Sequence, residues 1–198
     1  MRSTLLLMTA LVASPAFANV SVGQPAPNFT VASSSGKPVS LSDYKGKTVV
    51  LEWSNDTCPF VKKFYDQGNM QALQKRYTSA GVIWLTVSSS ASGKPGFVAD
   101  TKAAQAWLAS QKAQSTALLL DTKGDVGRLY GAKTTPHVFV IDPAGKLAYA
   151  GAMDSTPSAD SADIATATPY LQNAVDAVIK GQPVTVASSK PYGCSVKY

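Results

Sequence analysis

Cysteine, histidine and arginine are scarce in this chain. Among 198 residues there are two cysteines, Cys58 and Cys194, and one histidine, His137; beyond Arg2 the only arginines are Arg76 and Arg128. None of these residues stands at the short spacing of a dedicated metal-binding motif, so no metal and no cofactor is expected. Charge is thin as well. Charged residues make up 15% of the chain, the net charge is +6, and no lysine run exceeds Lys62-Lys63. A nucleic-acid surface needs clustered basic residues, so no nucleic-acid partner is expected. No internal repeat and no linker divides the chain.

The first residues read as a leader. Met1-Arg2 gives a positive start, Leu5–Val12 is apolar except for Thr9, and Ala16-Phe17-Ala18 has the A-x-A form of a cleavage site. This is the pattern of a secretory signal peptide over residues 1–18, with the mature chain starting at Asn19. The apolar run is too short for a membrane span, which takes about 20 residues, and no cysteine sits beside the cut to carry a lipid. The protein is therefore expected to be periplasmic or secreted, with no stable membrane anchor after cleavage. Residues 19–198 suit one domain with a full core, and the hydrophobic content of 45% is a globular value. Outside the cytosol disulfides form and persist. A Cys58–Cys194 pair within one chain requires the fold to bring two distant positions together.

Patterning along the mature chain is that of alternating strands and helices. Residues 19–28 are an irregular, Pro-containing entry, and Phe29–Val31 suggests a short strand. Thr48–Trp53 is an apolar strand broken only by Glu52, as expected of a strand covered on both faces. A helix is predicted from Pro59 to Ser79, with Phe60, Phe64, Leu73 and Tyr77 at near-helical spacing and Gly81 closing it. Val82–Val87 is a second buried strand, and residues 88–96 read as a flexible surface loop. Ala103–Lys112 is helical with Ala104, Trp107 and Leu108 inward. Ala117–Leu120 is a third strand, and a turn with a short helix covers 121–131. Val138–Ile141 and Leu147–Ala150 form a hairpin across the Asp142-Pro143-Ala144-Gly145 turn. The last helix is predicted to be capped by Thr168, opened by Pro169 and stopped by Gly181 and Pro183, with Leu171, Ala174, Val175, Val178 and Ile179 as its stripe. This order predicts parallel strands joined by right-handed crossovers, with the hairpin making the sheet mixed.

Cys58 stands where the Glu52-containing strand runs into the first helix. A thiol at a helix N-terminus meets the positive end of the macrodipole and unpaired backbone N–H groups. Both favour the thiolate, which is the reactive form. Lys62, one turn on, is either a further charge on the thiolate or a solvated lysine.

Three stretches together resemble the thioredoxin superfamily, in its exported redoxin or peroxiredoxin-like (AhpC/TSA-like) branch. They are Glu52-Trp53 through Cys58-Pro59-Phe60-Val61-Lys62, then Thr134-Thr135-Pro136, then Gly193-Cys194-Ser195-Val196-Lys197-Tyr198. The resemblance implies an α/β, thioredoxin-like three-layer fold, a mixed β-sheet flanked by helices. It places Cys58 at the nucleophilic position of Cys-x-x-Cys and Val61 at the second, so the partner thiol would be Cys194. It implies a proton-shuttling role for Glu52, against which stands a solvated or lysine-paired carboxylate at a strand end. It makes Thr135-Pro136 the cis-proline that holds a substrate backbone, with Pro59 and Phe60 bordering the same shallow groove. His137 would be a satisfied or solvent-facing side chain.

Three functions use these residues. A thiol–disulfide oxidoreductase would attack a protein or small-molecule disulfide with Cys58 and resolve with Cys194. A peroxiredoxin-like antioxidant enzyme would oxidise Cys58 to a sulfenic acid and condense it with Cys194. Against this, peroxiredoxins carry a Pro-x-x-x-Thr/Ser-x-x-Cys pattern, and positions 51 and 55 are Leu and Asn. In the third reading a permanent Cys58–Cys194 disulfide pins the tail of a binding module, worth about 4–5 kcal/mol in the chain-entropy view.

Overall fold

The computed structural model describes residues 20–198; the expected signal peptide and the new N-terminus at Asn19 lie outside them. In chain order the strands are β1 (Thr30–Val31), β2 (Val39–Ser40), β3 (Val49–Trp53), β4 (Ile83–Ser88), β5 (Ala117–Leu120), β6 (Thr134–Thr135), β7 (His137–Ile141), β8 (Leu147–Gly151) and β9 (Cys194–Ser195). The helices are α1 (Pro59–Tyr65), α2 (Asn69–Ser79), α3 (Thr101–Ser110), α4 (Asp125–Tyr130) and α5 (Tyr170–Ile179).

A five-stranded sheet in the order β5-β4-β3-β7-β8 carries the fold. β3, β4 and β5 are parallel, and β7 and β8 return antiparallel. Every residue of the central strand β3 is buried, because helices or loops cover both faces. On one face Val50, Trp84, Leu118 and Val138 pack against α1, α2, α3 and α5 through Phe64, Tyr77, Trp107 and Leu171. On the other, Leu51, Trp53, Leu85 and Phe139 pack against Phe29, Val126 and Tyr130. The predicted mixed sheet and its hairpin are present, with the turn closed by Gly145 N–H donating to Asp142 O at 2.9 Å.

Three local predictions are corrected. The single helix expected over 59–79 is two helices. Gly68 sits between them at φ +78°, a left-handed conformation that no right-handed helix contains. The break turns Tyr65 at the end of α1 and Gln74 in α2 toward the same point under the sheet.

The 88–96 stretch is not a free loop in its first half. Ser88 belongs to β4, and Ser89 and Ser90 are buried. Ser89 Oγ accepts from Trp53 Nε1 at 3.0 Å and donates to Asp121 Oδ2 at 2.5 Å. Small hydroxyls here satisfy buried polar atoms, which is why a serine run that reads as flexible is packed. The far end of the loop is tied down by Asn55, whose Nδ2 donates to Pro95 O at 3.0 Å.

The last helix starts one residue later than predicted. Pro169 occupies the cap position, and Thr168 contributes its carbonyl, which accepts from Tyr170 N–H, rather than its hydroxyl. Leu171, Ala174 and Val175 are buried as predicted, and Ile179 is exposed. Among the described residues no helix is long and apolar enough to cross a membrane.

Candidate active site

Cys58 is the N-cap residue of α1, extended at φ −80°, ψ 123°, with Pro59 opening the helix. β3 delivers the chain to this point, and the Asn55 turn fixes it. Asn55 Oδ1 accepts from Thr57 N–H at 2.9 Å, and Asn55 O accepts from Cys58 N–H at 3.0 Å. The thiol points across the sheet end to the β6–β7 junction, where Sγ donates to Thr135 O at 3.1 Å. The Thr135–Pro136 peptide bond is cis.

Cys194 arrives from the other end of the sequence. β9 pairs antiparallel with β6, with Cys194 opposite Thr135 and Ser195 opposite Thr134. The two thiols are free and hydrogen-bonded neighbours. With Cys194 above it, Cys58 is only 1% exposed. Burial alone would push the Cys58 thiol up. The Cys194 thiol and the backbone N–H groups of Cys194 and Val61 around the sulfur outweigh it, so its pKa lies below the ordinary thiol value. Cys194 moves the opposite way: burial, its hydrogen bond to Cys58 and the charge on Cys58 all hold its proton. Of the two, Cys58 ionises first.

The groove expected between Pro59, Phe60, Thr135 and Pro136 is filled by the chain itself. Gly193 lies so close to the cis peptide that a Cβ there would stand 2.2 Å from Thr135 O. Tyr192 packs on Phe60 at 5.9 Å between ring centroids. Pro59 is exposed at the rim and Thr135 is buried beneath Cys194.

One cluster escaped the sequence reading. Lys63 is buried, with Nζ donating to Asp154 Oδ2 at 3.0 Å, Thr156 O at 2.9 Å and Tyr192 Oη at 3.2 Å. Tyr192 Oη in turn donates to Asp154 Oδ1. The cluster ties α1, the segment after β8 and the segment before Cys194 together. Its signal was available: position 63 follows Phe60 by three and precedes Phe64, so the lysine lies on the inward stripe of α1. Lys62 is the exposed one of the pair.

Glu52, the chain's only glutamate, is fully buried in the middle of the sheet. It is neither at a solvated strand end nor paired with a lysine. Its carboxyl accepts from Trp84 Nε1 at 2.7 Å, Tyr65 Oη at 2.8 Å and Gln74 Nε2 at 3.1 Å. Burial raises its pKa, and these hydrogen bonds oppose the rise without cancelling it. The folded state therefore holds this proton to higher pH than the unfolded chain, where a glutamate titrates near about 4.3. Stability from this group is complete below that value and is lost as pH rises through the raised folded pKa. Glu52→Gln is expected to remove this falling slope from urea midpoints measured between about pH 4 and pH 8. An unchanged slope would assign the pH dependence to other groups.

His137 is buried and satisfied. Its Nδ1 accepts from Lys133 N–H at 3.2 Å, its ring lies 4.4 Å from Phe139, and burial pushes its pKa down to about 3 with help from the Lys133 charge. Among the described residues no three His, Cys, Asp or Glu side chains gather as a metal site. Arg76 and Arg128 are engaged elsewhere. Arg76 pairs with Asp176 at 3.0 Å, and Arg128 lies 4.6 Å over the Tyr198 ring.

Residues 22–150, which contain Cys58, Glu52 and the cis-proline, match the AhpC/TSA family. The chain belongs to that family. Cys194 and the rest of the strand that covers Cys58 lie beyond the matched region of this AhpC/TSA member. Among curated proteins, it is 31% identical to the thiol-disulfide oxidoreductase ResA of Bacillus subtilis over 65% of this chain and 66% of the relative, just under two thirds of that relative's length. Among solved structures, an uncharacterised conserved protein of Geobacillus kaustophilus superposes with a TM-score of 0.74 at 24% identity, covering 97% of this chain and 98% of the other. The thioredoxin domain of a thiol-disulfide oxidoreductase from Bacteroides vulgatus superposes at 0.51 with 22% identity, over 65% of this chain and 86% of that domain. The fold is thioredoxin-like, as the resemblance implied.

Proposed function

We propose that this AhpC/TSA protein is a thiol–disulfide oxidoreductase acting outside the cytosol, periplasmic or secreted, after loss of residues 1–18. The observation that carries the reading is the β6–β9 register, which sets Cys194 opposite Thr135 and against a Cys58 whose thiolate is favoured. The name of the Bacillus relative agrees with it.

In the proposed cycle the Cys58 thiolate attacks one sulfur of a protein or small-molecule disulfide. A mixed disulfide forms and the other substrate sulfur leaves as a thiolate, which takes up a proton. Cys194 then loses its proton and attacks Cys58 Sγ, releasing the second substrate thiol. The substrate disulfide is reduced, and the Cys58–Cys194 bond holds the oxidising equivalents until an external dithiol reduces it. The roles run in reverse when the pair starts oxidised. Glu52 enters as the buried acid behind the cysteine, and exchange rates of Glu52→Gln that keep the wild-type pH profile would remove it from the chemistry.

Peroxide reduction is less well supported. Arg76 and Arg128 make their contacts with Asp176 and Tyr198 rather than with Cys58, where a guanidinium would polarise a peroxide. The direct test mixes reduced protein with excess peptide–glutathione disulfide. One equivalent of disulfide is expected to be consumed per protein as the Cys58–Cys194 bond appears by mass. No transfer would contradict the proposal.

A further inference from the structure

The segment that covers Cys58 is held at a second place, well past the cysteine. We infer that the surface of α4 beside β6 is a specificity subsite for an aromatic side chain four residues after the cysteine of an extended polypeptide, with Tyr198 as its resident occupant. That an external polypeptide uses it rests on the exchange reading above; the subsite itself does not.

The floor of the subsite is made of two glycines. A Cβ on Gly124 would lie 2.4 Å from Tyr198 Cδ1, and one on Gly127 would lie 2.5 Å from both Cε1 and Oη. Gly127 is inside α4 and has no positive φ, so the helix backbone does not require glycine there. In a helix glycine is disfavoured relative to alanine. What its absent side chain provides is room for the ring. Above the ring stands the Arg128 guanidinium, 4.6 Å away and fixed by its bond to Lys123 O at 2.6 Å. At the edge, Ala132 O accepts from Tyr198 Oη at 2.8 Å. An apolar floor, a cation over the face and an acceptor for a hydroxyl together select an aromatic ring, and a phenol most fully.

Between this subsite and Cys58 the strand is held by backbone bonds and by Val196, which packs against the second core cluster. Val196 N–H donates to Lys133 O at 3.0 Å, and Lys197 O accepts from Ala91 N–H at 2.8 Å. Such bonds hold any extended chain and carry no side-chain selectivity. Selection among strands therefore falls to the cysteine, to the residue before it, where Gly193 fits against Thr135, to an apolar side chain at the Val196 position and to the ring in the notch. An incoming polypeptide must displace the resident strand, and one with the same cysteine-to-aromatic spacing regains its backbone bonds and its ring contact.

The test uses full-length Tyr198→Ala protein and a dye-labelled peptide Tyr-Gly-Ser-Ser-Val-Lys-Tyr, whose serine replaces the cysteine so that no thiol chemistry occurs. Fluorescence anisotropy is expected to show the peptide binding Tyr198→Ala at least about tenfold more tightly than wild type, equivalent to about 1.4 kcal/mol. Changing the peptide's last tyrosine to alanine is expected to lose at least that factor. Adding Gly127→Ala, which fills the notch with a residue that helices favour, is expected to abolish the preference while circular dichroism remains unchanged. Equal binding of the two peptides, or no binding to Tyr198→Ala, would overturn the subsite. The peptide carries no thiol, so a failed exchange assay leaves this result standing, and the reverse also holds.

Discussion

Cys194→Ser is expected to stop the reaction half-way, with the substrate left bonded to Cys58. In the proposed cycle resolution is intramolecular, because β9 pairs with β6 and sets Cys194 opposite Thr135, beside Cys58. Effective molarities for well-placed groups reach about 10⁵ M and more. Even a small part of that advantage far exceeds millimolar external thiol, so resolution should slow by at least about 10³-fold. The mixed disulfide should then accumulate and appear by mass spectrometry as one adduct per chain, mapped to Cys58. Cys58→Ser should form no adduct and show only the background exchange of free solution thiols, because burial alone still favours the protonated form of the thiol left to it, Cys194. Turnover of Cys194→Ser at the wild-type rate would show that another thiol resolves the intermediate. An adduct mapped to Cys194 in the wild type would reverse the two roles.

The second large effect is on stability. The Lys63 and Asp154 side chains are 0% and 5% exposed, and their contact is supported by Thr156 O and Tyr192 Oη. Lys63→Ala removes one charge and leaves the Asp154 carboxylate buried without its partner. Breaking such a pair from one side costs about 3–5 kcal/mol, a large share of the about 5–15 kcal/mol that holds a domain together. Urea unfolding should show this loss. The reduced variant should also alkylate at Cys58 faster than wild type, because Tyr192 loses one of the contacts that hold the covering strand. Lys63→Met with Asp154→Leu should recover much of the stability, since an apolar pair carries no desolvation cost. A loss below about 1 kcal/mol in Lys63→Ala would mean that the pair behaves like an exposed salt bridge.

Much of this fold is written in short-range pattern. β3, β4, β5 and the β7–β8 hairpin follow from apolar runs and one Asp-Pro-x-Gly turn, because strand burial acts locally and repeatedly. The thiol at the start of α1 was legible for the same reason: it needs only a strand, a proline and a helix in sequence. The break at Gly68 was missed because Phe64, Leu73 and Tyr77 keep near-helical spacing across it. The burial of Ser89 was missed because its reasons, Trp53 Nε1 and Asp121, lie far away in sequence. Lys63 was passed over because a lysine reads as surface unless its counter-charge is visible, and Asp154 is a long-range partner. The approach of Cys194 to Cys58 depends on β6–β9 pairing between strands of two residues each, too short to leave a periodic signal.

If Cys58 and Cys194 form a working redox pair, the reduction potential of the pair is where this shows. The mature protein would be equilibrated in graded thiol–disulfide buffers and alkylated, and its free thiols counted by mass. A midpoint at or above roughly −230 mV is the expected result, the range of labile, exchange-competent disulfides. A midpoint below about −300 mV is that of a structural staple, and it would contradict the oxidoreductase reading in favour of a disulfide that only pins the C-terminal strand.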